Sequence, residues 1–107
     1  MLESQIERYL RRAVEAAGGQ VRKVQWPGRN SAPDRVVMAP ARRLASGIDC
    51  AWCNPQGRTV WVELKAPGKK PTKPQAREHQ RMRDAGQDVR VLDSLAAVDA
   101  LMLEVFR

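Results

Sequence analysis

The chain has 107 residues, enough for one domain with a modest core, and its 43% hydrophobic content is ordinary for a globular fold. Nineteen Lys and Arg against twelve Asp and Glu leave a formal charge of +7 and a pI near 10.3, the electrostatic footprint of a nucleic-acid-binding domain. Two cysteines exclude a disulfide framework, MLESQIERYL lacks the apolar region of a secretory signal, and no run approaches the roughly 18–20 apolar residues of a transmembrane helix. The chain therefore reads as soluble and intracellular, with no membrane partner.

In chain order, Leu2, Ile6, Leu10, Ala13, Val14 and Ala17 recur at helical spacing before Gly18-Gly19, which predicts a helix over about 2–17. QVRKVQW (20–26) alternates loosely and predicts a first strand, ended by Pro27-Gly28. RNSAP is loop, and DRVVM (34–38) predicts a short second strand. Residues 39–57, rich in Pro, Ala, Gly, Asn and Arg, predict a long hairpin connection. RTVWVELK (58–65) is the clearest strand, and APGKKP a lysine-rich turn. Thr72 as N-cap, Pro74 in the first turn and Gly86 as stop predict a helix over roughly 73–85. DVRVLD (88–93) predicts a fourth strand, and Ser94 caps a last helix through LAAVDALMLEVF. The order αβββαβα predicts a mixed α/β domain spanning 1–107, without repeats.

WVELK raises the question of chemistry. A strand alternates its faces, so Glu63 and Lys65 share one side while Val60, Val62 and Leu64 share the other. Taken alone, E-x-K matches an exposed strand with a surface ion pair. Asp34, however, follows Pro33 where the second strand begins, and hairpin pairing of the second and third strands brings it near Glu63. Two such carboxylates repel unless a cation lies between them, and hard oxygen ligands suit Mg²⁺ or Mn²⁺. Lys65 would then stand beside a metal-bound water, able to stabilise charge that builds on a phosphate.

SAPDR, followed after a spacer of 28 residues by the E-x-K of VWVELKAPGKKPTKPQAREHQRMRDAGQDVRVLDS, resembles the VRR-NUC nucleases of the PD-(D/E)XK superfamily. The similarity extends to LESQIERYL at the start, and it is to their small stand-alone phage and bacterial members. The resemblance implies a restriction-endonuclease-like αβββαβ core with a C-terminal helix on a mixed four-stranded sheet. It also implies Mg²⁺- or Mn²⁺-dependent hydrolysis of DNA phosphodiesters. Asp34 and Glu63 match the metal-binding acids, with the Leu64 carbonyl a further ligand; Lys65 matches the catalytic lysine. Glu3 matches the acid of the first helix, with Glu7 one turn on as its competitor, and Gln75 matches the glutamine opening the helix after E-x-K. Where that family carries a glycine close before the Pro-Asp aspartate, this chain reads Ser31-Ala32-Pro33. Stand-alone members act as homodimers on branched DNA such as four-way (Holliday) junctions, which implies the cytoplasm of a bacterial cell or phage-infected host. The alternatives are a sequence-specific or general endonuclease of the same fold, and a non-catalytic basic nucleic-acid-binding module.

From Lys65 to Arg83 there are seven Lys or Arg against one acid, Glu78. A solvated face is the usual meaning of such a run, but this one begins at the proposed site, and Lys69, Lys70, Lys73, Arg77 and Arg81 are placed to meet a phosphate backbone. Arg11, Arg12, Arg22, Lys23 and Arg29 could extend that surface. His79, the only histidine, reads as a surface or supporting residue and not as a general base. Cys50 and Cys53 make one pair where a structural zinc site needs two, and read as reduced cysteines in a loop.

Overall fold

The computed structural model describes residues 1–41 and 57–106. Most of the expected hairpin connection, with Cys50 and Cys53, lies outside the described residues. The elements are α1 (Glu3–Ala16), β1 (Gln20–Lys23), β2 (Arg35–Ala39), β3 (Arg58–Leu64), α2 (Lys73–Asp84), β4 (Val89–Leu92) and α3 (Leu95–Val105). The four strands form one sheet in the order β1-β2-β3-β4. The first three pair antiparallel, and β4 runs parallel to β3. A parallel neighbour demands a crossover, which α2 supplies.

One face of the sheet carries the core. Ile6, Leu10 and Val14 of α1 and Val98, Leu101 and Val105 of α3 close over Val21, Val37, Val60, Val62, Leu64 and Leu92. Helix α2 lies over the other face, the one that Trp61, Glu63 and Lys65 share by alternation.

Local chemistry sets the helix ends. Thr72 Oγ1 accepts the Gln75 N–H at 3.3 Å, and Gln75 Oε1 accepts the Thr72 N–H at 2.9 Å, a reciprocal cap. Ser94 Oγ likewise accepts the Ala97 N–H at 3.0 Å. Gly19 answers a close approach: a Cβ there would stand 2.7 Å from Phe106 Cε1 and 2.8 Å from the Met38 carbonyl oxygen.

Strand β1 is shorter than the loose alternation of 20–26 suggests. The Val24 N–H still reaches the Asp34 carbonyl at 2.9 Å, but Gly28, at φ +78°, lies in the turn that follows. Trp26 leaves the ladder and lays its ring against Trp61, centroids 5.2 Å apart.

Candidate active site

The register of the β2–β3 hairpin places the acids. Arg35 pairs with Val62 and Val37 with Val60. One step beyond, Asp34 stands across from Glu63. The core-facing partners, Val37, Val60 and Val62, are fully buried, so both acids face away from the core. Lys65 follows on the same side. Its N–H donates to the Leu92 carbonyl at 3.0 Å, which extends the β3–β4 pairing beyond Leu64. Leu64 itself is buried in the core, its main chain running between Glu63 and Lys65.

Glu63 is not on a solvated edge: it is 8% exposed, because α2 covers this face. Burial pushes its carboxyl up to about 7, the Lys65 ammonium opposes the shift, and the negative charges of Asp34 and Glu3 add to it. Glu3, exposed in the first turn of α1, thus lies within electrostatic reach of Glu63. From α2, His79 projects Nε2 to 3.5 Å from Glu63 Oε1, too far for a strong hydrogen bond. The imidazole is 1% exposed, and Nε2 has no hydrogen-bond partner among the described residues. Burial holds it below the ordinary histidine range, the charges of Arg83 and Lys65 push the same way, and Glu78 opposes them.

Lys65 is held in place. Its Nζ donates to Gln75 Oε1 at 2.8 Å, and that same oxygen accepts the Thr72 N–H of the α2 cap. Arg35 does the equivalent for Asp34. Its Nη1 lies 3.1 Å from Asp34 Oδ2, and its Nη2 donates to Glu7 Oε2 at 2.9 Å. Glu7 also meets Arg11 at 3.4 Å, and the Arg35 hydrogen bond holds its carboxyl below the usual range. Of the two acids on this face of α1, Glu7 is therefore committed to a salt bridge, and Glu3 is left open to solvent. Among the described residues no three His, Cys, Asp or Glu side chains already converge as a metal site.

A solved structure described as "VRR_NUC domain" superposes on this chain with a TM-score of 0.73 at 34% identity, covering 94% of each chain. A protein of Acyrthosiphon pisum secondary endosymbiont phage 1, named "Putative nuclease p44", is 40% identical over 92 residues, 86% of this chain and 83% of that protein. The chain belongs to the VRR-NUC family. No protein-family model matches it. The mixed sheet and C-terminal helix agree with a VRR-NUC fold.

Within this VRR-NUC domain, Lys69, Lys70, Lys73 and Arg77 are exposed along the turn and first part of α2. Arg81 differs from them: its Nη2 and Nε both bond Glu78 Oε1, at 2.8 and 3.0 Å, so part of its charge is offset. Arg83 donates to the Val89 carbonyl at 2.9 and 3.2 Å and ties α2 to β4. Arg35 reads in the sequence as one more surface cation between Asp34 and VVM. The signal for His79 is that it stands four residues after Gln75 on one helical face. Glu78, 7% exposed beneath Arg29 and Arg81, gave no signal beyond being the lone acid in a basic run.

Proposed function

We propose that this VRR-NUC protein is a divalent-cation-dependent DNA endonuclease, selective for branched DNA such as four-way junctions and active as a homodimer. The observation that carries the reading is the β2–β3 register, which sets Asp34, one residue before β2, across from a buried Glu63, with Lys65 beside them and locked by Gln75.

The residues fit a hard divalent cation such as Mg²⁺ or Mn²⁺. Glu63 is raised to about 7 even with Lys65 and Arg35 near it, because burial and the charges of Asp34 and Glu3 outweigh them, and the buried His79 Nε2 next to it has no hydrogen-bond partner among the described residues. Asp34, Glu63, Glu3 and the Leu64 carbonyl would hold the ion. When bound it supplies a Lewis acid for a phosphate oxygen and an acidified water. Lys65 brings its ammonium to the phosphate, where it stabilises the charge that accumulates in the transition state. Gln75, anchored by the α2 cap, keeps that ammonium aimed and is a positioning residue. Lys69, Lys70, Lys73 and Arg77, with Arg81 behind them, carry the strand's phosphates past the site without reading bases. Symmetric cutting of a junction needs two active sites, which is the reason for the dimer. The phage relative favours work in the cytoplasm of a bacterial cell or infected host.

The test is cleavage of labelled four-way junction, flap, duplex and single-stranded DNA of matched length, with Mg²⁺, Mn²⁺ or EDTA, beside Lys65→Ala protein. Junction cutting that requires a metal and disappears in Lys65→Ala, with binding intact, is expected. Binding without cutting in either metal would leave a basic DNA-binding module. A pattern fixed by sequence and indifferent to branching would leave a general or site-specific endonuclease.

A further inference from the structure

A concavity of about 270 Å³ opens on the same sheet face as Glu63, between the β1–β2 connection and α2. That is close to the lower end of small-ligand pockets, roughly 300–1,000 Å³. Trp26, Trp61 and Met82 give it apolar walls, while Arg29, Arg81 and Glu78 also line it. The indole rings are inclined at 55° to each other, and both present aromatic surface to the concavity. Both are pinned: Trp26 Nε1 donates to the Pro33 carbonyl at 2.8 Å, and Trp61 Nε1 to Gln87 Oε1 at 2.9 Å. Arg29 and Arg81 both meet Glu78 Oε1, at 3.4 and 2.8 Å, and keep 57% and 58% of their side chains exposed.

We propose that this pocket receives one unpaired nucleobase of the DNA substrate. Pinned aromatic walls supply a stacking platform that accepts any base, because every base has a π face. The two exposed guanidinium groups at the rim share the Glu78 carboxylate, which leaves one net positive charge to meet a phosphate flanking that base, a charge that an uncharged apolar ligand would not need. A base inside a duplex is stacked on both sides and cannot enter, so the pocket selects nucleotides already unpaired at a flap or gap, or a base that unpairs at the branch point of a junction. Its place in the fold fits this use. Trp61 precedes Glu63 by two residues on one strand face, roughly 7 Å or about two base steps of a duplex strand. Trp26 hangs from the carbonyl of Pro33, the residue before Asp34. The gripped base therefore lies one or two nucleotides from the bond that faces the acids. The inference rests on the reading of the protein as a DNA nuclease, and it names the feature of branched DNA that is held.

The experiment measures binding of the full chain in EDTA, so that cleavage plays no part. The probes are a fully paired duplex and the same duplex with a short flap, carrying 2-aminopurine at successive positions around the branch. Wild-type protein should prefer the flap DNA and alter 2-aminopurine fluorescence at one of the first unpaired positions. Trp26→Ala should lose that fluorescence change and bind flap DNA about tenfold more weakly, with duplex affinity unchanged within about twofold. Met82→Trp, which fills the pocket and removes no contact with the core, should abolish the preference in the same way. Trp26→Phe should keep most of it. Equal losses on both DNAs, or no fluorescence change in wild type, would overturn the proposal. So would a Trp26→Ala or Met82→Trp protein that changes oligomeric state in sedimentation and loses duplex binding with it, because the pocket would then be a protein contact. Wild-type protein that shows the preference but cuts nothing in Mg²⁺ or Mn²⁺ would remove the nuclease reading and leave the base pocket standing.

Discussion

Glu63 gives the stability of the protein one component that depends on pH. Its carboxyl titrates near 7 in the fold against 4.5 in an unfolded chain, chiefly because it is buried. The native state thus holds the extra proton between those values, so this group's contribution to stability is complete below pH 4.5 and is lost as pH rises through 7. At about 1.4 kcal/mol per unit, the interval from 4.5 to 7 sets a ceiling of roughly 3–4 kcal/mol, and contact with water brings the loss below it. Melting in EDTA from pH 5 to 8 should reveal it as a declining component that Glu63→Gln removes. A divalent cation should restore stability at the upper end in wild type and not in the variant. Glu7 and Asp88, both held below their usual range by arginine partners after allowing for burial, act in the opposite sense and lose stability as pH falls. Comparison with Glu63→Gln separates the two. Lys65 gives a second residue-scale prediction. Gln75→Ala frees its ammonium and should slow junction cleavage roughly tenfold, the order of one hydrogen bond to a charged group, while DNA affinity in EDTA stays unchanged.

At the scale of elements, the sequence was informative wherever a property is local. The caps at Thr72 and Ser94, the alternation of VWVEL and the turn after Trp26 each depend on residues a few positions apart, and each could be read directly. The joint facing of Glu63 and Lys65 follows from the same alternation. What could not be read is what α2 brings to the far face of the sheet. Nothing in WVELK says that its polar side is roofed: Glu63, placed by the sequence among the metal-binding acids, is 8% exposed, and His79, which reads as a surface or supporting residue, is almost fully enclosed. Arg35 is a similar case: its partners Glu7 and Asp34 belong to two different elements, which only the packed fold brings together. The seam between α3 and the start of β1 offers a test at this scale. Gly19→Ala forces a methyl against Phe106 and the Met38 carbonyl and should cost about 1–3 kcal/mol in urea denaturation, with the residues of the proposed site untouched.

For the molecule as a whole, a charge of +7 makes DNA association electrostatic first and selective second. Exposed lysines beside the site should contribute to affinity through counterion release. Lys69→Ala with Lys70→Ala should therefore lower the slope of log affinity against log salt by about two, one per lysine, on junction and duplex alike. Among the described residues no helix is long and apolar enough to cross a membrane. The two acids stand at one end of the β2–β3 hairpin, and the segment joining its strands departs from the other, where Ala39 pairs with Arg58. Register is held by core-facing pairs such as Val37–Val60, independent of the joining segment's length. Insertions and deletions between these strands can accordingly accumulate over evolution without displacing either carboxylate. The interval of 28 residues from Asp34 to Glu63 is thus free to drift, and a homology search that fixes it would overlook true relatives.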